Sequence, residues 1–454
     1  MRIFISITDN IQGNTGISVV QQFELLHYRD SRILANIHFD VLIFVQVNKL
    51  FCMIICNRTV KGRNYSLDYQ YGPIIGICFV LGLITGSVMY LSDFCIAGMF
   101  RDLFLLRRSM MLRYLALLVV SSMILFELAR QMGFLSLYPF PLLYSPTPAN
   151  LIGGFLFGAG MVLAGGCVFG TLYKMGSGSV LSATAFLGLV AGSGLYAEIH
   201  PFWASFVRGT TFFQGRITIP QILGVDPLIP ISFASVAGLV FIRLWVRNRK
   251  LFRLSYAKGY LQPWKAALLL SLIGLSSYAL IGMPLGVTTS CAKLSGYLGS
   301  LFFKEHIDGL SYFHALSLNY MQPLTGLRLQ GGPGPRVDAF SAIQFPLVAG
   351  IVFGSAASAT WLKEFHIHFG APPRQYVSAF SGGVIMGLAS RMAPTCNVWH
   401  LLGGLPILAA SSILFLLGLF PGAWVGSRIF AGLVMKEGET NRMLTVEKKQ
   451  VERN

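Results

Sequence analysis

The chain has 454 residues, 54% hydrophobic and only 12% charged, and its mean hydropathy is +0.63. A soluble domain of this length has too little interior to hide so much apolar surface, so the fold class is an all-α polytopic membrane protein with the lipid bilayer as its surroundings. The net charge of +17 does not signal nucleic acid, because the basic residues lie in short loops between apolar runs, and seven cysteines without a CxxC pair exclude a disulfide scaffold or zinc cluster.

Residues 1–72 come first and fit least. Their one apolar stretch, 33–56, carries His38, Asp40 and Lys49, and Arg58, Lys61 and Arg63 fall outside the membrane against the usual bias. The expectation is an N-terminal extension apart from the membrane halves, with Met53 or a later residue as the true start and Cys52 and Cys56 incidental. Neither a cleavable signal peptide nor a soluble appended domain is evident.

Nine apolar windows long enough to cross a bilayer follow, near 73–91, 111–128, 151–169, 179–199, 229–246, 263–283, 341–361, 375–393 and 404–420. Arg101, Arg107, Arg108 and Arg113 follow the first, and Arg243, Arg247, Arg249, Lys250, Arg253, Lys258 and Lys265 separate the fifth from the sixth. Both clusters belong in the cytoplasm, and the four spans between them make the two assignments agree. The tail, 431–454, falls on the same side. The membrane halves are 73–250 and 263–430, joined by a basic linker, 251–262. Apolar pieces at 94–106, 168–175, 296–303 and 398–402 are too short to cross and read as re-entrant helices. The external stretch 304–338, rich in Gly and Pro at 331–335, reads as a long loop.

Four cysteines, Cys95, Cys167, Cys291 and Cys396, each follow a glycine by nine positions: Gly86, Gly158, Gly282 and Gly387. In the assigned topology the first two end spans on the cytoplasmic side and the last two on the external side. That gives two inverted halves, a recurrent transporter design. Cys78, in mid-span, reads as packing. The four motif cysteines have polar company instead. Arg101, Lys174 and Arg391 would attract an anion, with topology anchoring as the alternative. Thr171, Ser290 and Asn397 would donate to it, with capping or packing as the alternative. Asp93 reads as a local ion pair with Arg101 and Asp102. His400 reads as a hydrogen-bonding rim residue, since no second metal ligand stands at helical spacing, so neither a metal nor a cofactor is expected.

Glycine-rich breaks aim backbone amides and helix N-termini at a cavity, which favours an anion. Oxygen-rich anions prefer Arg, Lys and hydroxyl donors. A weak S–H donor on a polarisable sulfur suits a ligand that itself ends in sulfur, such as thiosulfate. The reading is a permease with no catalytic residue. The alternative is a membrane thiol oxidoreductase or sulfurtransferase, which needs thiols that meet in space. No nucleotide-binding loop and no paired Asn-Pro-Ala turns occur.

Several segments resemble the YeeE/YedE sulfur transport family over about 73–430. They are Ser92-Asp93-Phe94-Cys95 with Arg101-Asp102, Gly165-Gly166-Cys167, Cys396-Asn397-Val398-Trp399-His400 with Gly403-Gly404-Leu405-Pro406, and Phe420-Pro421-Gly422-Ala423-Trp424. The resemblance implies a multi-pass bacterial inner-membrane protein importing thiosulfate, or in some branches another sulfur or selenium species, along an hourglass path between inverted halves. It implies that Cys167, Cys396 and one or both of Cys291 and Cys95 carry uptake. It further implies a small cytosolic sulfur-carrier protein as the acceptor.

Overall fold

In lipid an apolar run can satisfy its backbone only as a helix or within a closed barrel, and helices are what this sequence forms. The computed structural model describes residues 67–140, 142–248 and 259–435. The expectations for residues 1–66, including Met53, Cys52 and Cys56, for most of the basic linker and for the tail beyond 435 lie outside the described residues.

In chain order the main helices are α1 (Leu67–Ser92), α2 (Ile96–Leu106), α3 (Met110–Gln131), α4 (Pro148–Leu163), α5 (Val168–Gly176), α6 (Val180–Gly209), α7 (Leu228–Arg247), α8 (Pro263–Ile281), α9 (Thr288–Phe302), α10 (Ala339–Trp361), α11 (Pro373–Met392) and α12 (Ala410–Phe430). Among the described residues eight segments are long and apolar enough to cross a membrane, which makes this a multi-pass membrane protein. The window at 375–393 is not one of the eight. It forms α11, 20 residues long, but Arg374, Gln375, Arg391 and several Ser and Gly lower its hydropathy, and it is packed against α4 and α6. The window at 404–420 shifts to 410–430, because Gly403, Gly404 and Pro406 break the apolar run into a π turn and a 3-10 turn before α12 begins. The short piece at 296–303 belongs to α9, which begins before Cys291 rather than after it.

Lipid supplies no hydrophobic force between helices, so close backbone approach through small residues does the packing. A Cβ added at Gly154 or Gly158 of α4 would lie 2.1 or 2.3 Å from a carbonyl oxygen of α12, Phe415 or Leu419. A Cβ at Gly383 or Gly387 of α11 would lie 2.2 or 2.3 Å from Ala185 or Leu189 of α6. The two crossings are alike: α4 and α11 end four residues before Cys167 and Cys396, and each crosses a long helix, α12 or α6, through its glycines. Similarly α1 packs on α10 through Gly82 and Gly86, and α8 packs on α3. The contacts of α2 with α12 and of α9 with α6 form a further pair, and α4 meets α11 directly. Helix α7 stands outside the pattern, lying on α3 with only 11% of its apolar window buried.

The sequence motif acquires a physical meaning here. Gly86, Gly158 and Gly387 are points of close helix approach, and each lies within the last two turns of its helix, so the cysteine nine positions on falls just past the helix break. Gly282 differs: it ends α8 in the left-handed conformation, φ 88°.

The stretch 304–338 is no plain loop. It holds the antiparallel strands β1 (Leu318–Met321) and β2 (Arg328–Gly331), with Leu318 and Leu329 buried. Tyr320 Oη donates to the Ile281 carbonyl at 2.8 Å and Gln322 Nε2 to that of Leu280 at 2.8 Å, so the hairpin is fastened to the end of α8.

Candidate functional site

Cys95, Cys167 and Cys396 are N-cap residues, of α2, α5 and the short helix Asn397–Trp399. Just before each, the chain leaves its helix through a left-handed residue: Asp93 at φ 46°, Gly165 at 73° and Thr395 at 89°. Glycine adopts this freely, but a β-branched threonine does so at a cost of about 1–3 kcal/mol, which the surroundings must impose. Cys291 lies in the first turn of α9, behind Thr288, Thr289 and Ser290. All four thiols therefore sit where free backbone N–H groups and the positive end of a helix dipole coincide. At Cys167 one such group is already used, since Gly170 N donates to its Sγ at 3.3 Å.

The four form a row. The thiols of Cys95 and Cys167 come together in space. They converge on Gly170, where a Cβ would come 2.9 Å from one sulfur and 3.4 Å from the other. Cys167 in turn lies close enough to Cys396 for their charges to interact, and Cys396 stands so to Cys291. All are buried and free.

At the Cys95 end, Tyr173 Oη donates to Asp93 Oδ1 at 3.0 Å and Lys174 Nζ to the Gly165 carbonyl at 2.9 Å, so side chains of α5 tie both helix breaks together. Lys174 is thus committed at the break. Arg101 stands apart, 41% exposed and paired with Asp102 at 3.4 Å, while the Asp93 oxygen expected for that pair takes the tyrosine instead.

At the other end Arg391 is 9% exposed and no surface anchor. Its Nη1 donates to Thr289 Oγ1 at 3.2 Å, its Nη2 donates to Thr288 Oγ1, and it neighbours both Cys291 and Cys396. Ser290 is unavailable as a donor, because its hydroxyl donates to the Val287 carbonyl at 2.5 Å and its N–H to Gln344 Oε1 at 2.8 Å. His400 is buried rather than on a rim, stacked on Phe415 at 4.1 Å with Nδ1 2.8 Å from Ser412 Oγ. No group of three or more His, Cys, Asp or Glu among the described residues is placed to hold a metal.

Of the twelve buried side-chain polar atoms without a protein partner among the described residues, six belong to residues within five positions of Cys167 or Cys396: Thr171 Oγ1, Arg391 Nε, Thr395 Oγ1, both amide atoms of Asn397 and His400 Nε2. Each costs about 1–3 kcal/mol unless something bonds to it, and folded proteins hold few. Next to the cysteine breaks they leave hydrogen-bonding capacity that a polar solute can use. Lys293, two residues beyond Cys291, is the group that sequence reasoning passed over. It is fully buried, and its Nζ donates to the Gly334 and Arg336 carbonyls and Asp338 Oδ2 at 3.0, 2.7 and 2.8 Å. Asp338 caps α10 through Ser341 N at 3.1 Å, so the lysine locks α9 to α10. Burial pulls its pKa down against the opposing pull of Asp338. The signal available beforehand was the Asp338-to-Ser341 cap spacing.

Apolar helices that break at buried thiols, with unbonded polar atoms between the breaks, define a membrane transport protein that handles a small polar solute. The characteristic sequence of the sulphur transport family matches residues 91–425, most of the chain, and the chain belongs to that family. It is 29% identical over 370 residues to the thiosulfate transporter TsuA of Spirochaeta thermophila, covering 76% of this chain and 97% of that protein. The thiosulfate transporter TsuA of Escherichia coli is 27% identical over 368 residues, covering 77% and 92%. A probable transporter of Escherichia coli, YedE, is 27% identical over 183 residues, covering 40% and 43%.

Proposed function

We propose that the protein imports thiosulfate across a bacterial inner membrane, handing it along Cys291, Cys396, Cys167 and Cys95 without altering it. Four buried free thiols, three at helix N-caps and one in a first helical turn, with Cys95 and Cys167 converging on Gly170, carry this reading. Each is a weak donor and a soft contact, so the ion is held at every step yet released. Four helix N-termini and Arg391 offset the loss of its hydration shell. The names of the two relatives matched over most of their length agree with the substrate. In this reading the halves 73–250 and 263–430 are inverted, Cys95 and Cys167 face the cytoplasm, and a small sulfur-carrier protein takes the sulfur there.

The closeness of Cys95 to Cys167 favours one competing reading, a sulfurtransferase that keeps the outer sulfur as a persulfide and releases sulfite. One experiment separates them. Thiosulfate labelled separately at its outer and inner sulfur is offered to sealed liposomes holding the full chain, with excess unlabelled sulfate. The permease brings both labels in together, unaffected by sulfate. Entry of the outer label alone supports the enzyme, and no entry above empty liposomes removes thiosulfate as the substrate.

A further inference from the structure

Thiols recognise the sulfur end of a sulfur oxyanion and leave its oxygens unread. We propose that Arg391 and Asn397 read those oxygens, so that with Cys291 and Cys396 they form a centre for a two-ended anion, sulfur toward the thiols and oxygens toward the guanidinium and amide. This rests on the thiol-path reading and gives it a basis for selectivity. Asn397 is completely buried, and neither its Nδ2 nor its Oδ1 has a partner in the protein. It directly follows Cys396 at the start of the short helix. Arg391 approaches the same cysteine from α11 with its Nε unbonded, while Thr288 and Thr289 occupy its two terminal nitrogens. Those threonines open α9, the helix that carries Cys291, so the guanidinium is held to the start of that helix with its Nε–H unbonded. The hydroxyl of Thr395, also unbonded, stands on the other side of Cys396.

A planar, fixed donor before Cys396 and a free amide directly after it suit oxygens held in one rigid group, as in a sulfonate. A site built this way binds hydrosulfide more weakly than thiosulfate, since hydrosulfide leaves the buried donors unpaired, and rejects sulfate, which offers the thiols no soft atom.

The test is thiosulfate uptake by the full chain in liposomes, comparing wild type with Asn397→Leu, Asn397→Asp and Arg391→Lys. A hydrogen bond to a charged group is worth about ten- to a hundredfold in affinity. The KM for thiosulfate should rise by that factor in Asn397→Leu and Arg391→Lys, and more in Asn397→Asp, where a carboxylate would face the anion. Hydrosulfide, having no oxygens to lose, should inhibit labelled uptake in Asn397→Leu at least as well as in wild type. Unchanged KM in both Asn397→Leu and Arg391→Lys, with wild-type uptake intact, overturns the proposal. So does an equal loss of thiosulfate affinity and hydrosulfide inhibition, which would mean general damage to the path. Absence of thiosulfate uptake by wild type rejects the path reading itself.

Discussion

Replacing Gly387 by alanine puts a methyl carbon 2.3 Å from the Leu189 carbonyl oxygen, and that oxygen belongs to the backbone of α6. Ordinary contact between such atoms begins near 3.4 Å, so α11 and α6 must separate by about 1 Å or bend. Overpacking of this kind costs about 1–3 kcal/mol, while the better helix propensity of alanine returns about 0.8–1 kcal/mol. A net loss of up to about 2 kcal/mol follows. Gly158, its counterpart on α4, stands 2.3 Å from the Leu419 oxygen and should lose as much. Gly76 on α1 has open space around it, so Gly76→Ala should hold or gain stability. Purified variants heated in detergent, with the folded fraction read by size exclusion, give the half-loss temperature. It should fall for Gly387→Ala and Gly158→Ala and not for Gly76→Ala. If all three behave alike, close crossing is not what those glycines do.

Lys293→Met leaves Asp338 and two carbonyls buried without their cation, which costs about 3–5 kcal/mol; the yield of folded protein should drop sharply, and a normal yield would contradict the lock between α9 and α10. Cys78, fully buried in mid-α1 and outside the thiol row, should tolerate alanine with thiosulfate uptake retained, whereas Cys167→Ala should abolish it. Arg101→Gln should change uptake less than about twofold, because an exposed pair with a sequence neighbour contributes little; a loss as large as that of Arg391→Lys would restore Arg101 to the path.

Hydropathy and glycine placement made much of this legible in the sequence. Apolar runs of spanning length are unambiguous, and glycines followed by cysteine betray helix breaks, because a chain turning left-handed at Gly165 needs that residue. Thr395 at φ 89° could not be foreseen, since nothing local favours it. Windowed hydropathy merged the Gly403-to-Ile407 turns into α12, as it counts apolarity and not backbone conformation. It placed a span at 375–393 where α11 is less apolar, because burial between α4 and α6 permits arginine and serine there. The cysteines stood out in the sequence by their common spacing from glycine, but which of them meet in space is set by how distant helices cross. For the same reason Ser290, which bonds backward to Val287, was indistinguishable from Asn397, which bonds to nothing. Lys293 was hidden because its acceptors lie more than forty positions away.

The account stands most directly on uptake by the single serine variants of Cys167, Cys291 and Cys396 in liposomes. Serine at Cys167 keeps an acceptor for Gly170 N and caps α5 at least as well, so the fold survives while the soft sulfur is gone. The expected result is thiosulfate uptake reduced at least about tenfold in each variant, with elution from size exclusion unchanged. Full uptake by the serine variants would contradict the claim that thiols carry the ion.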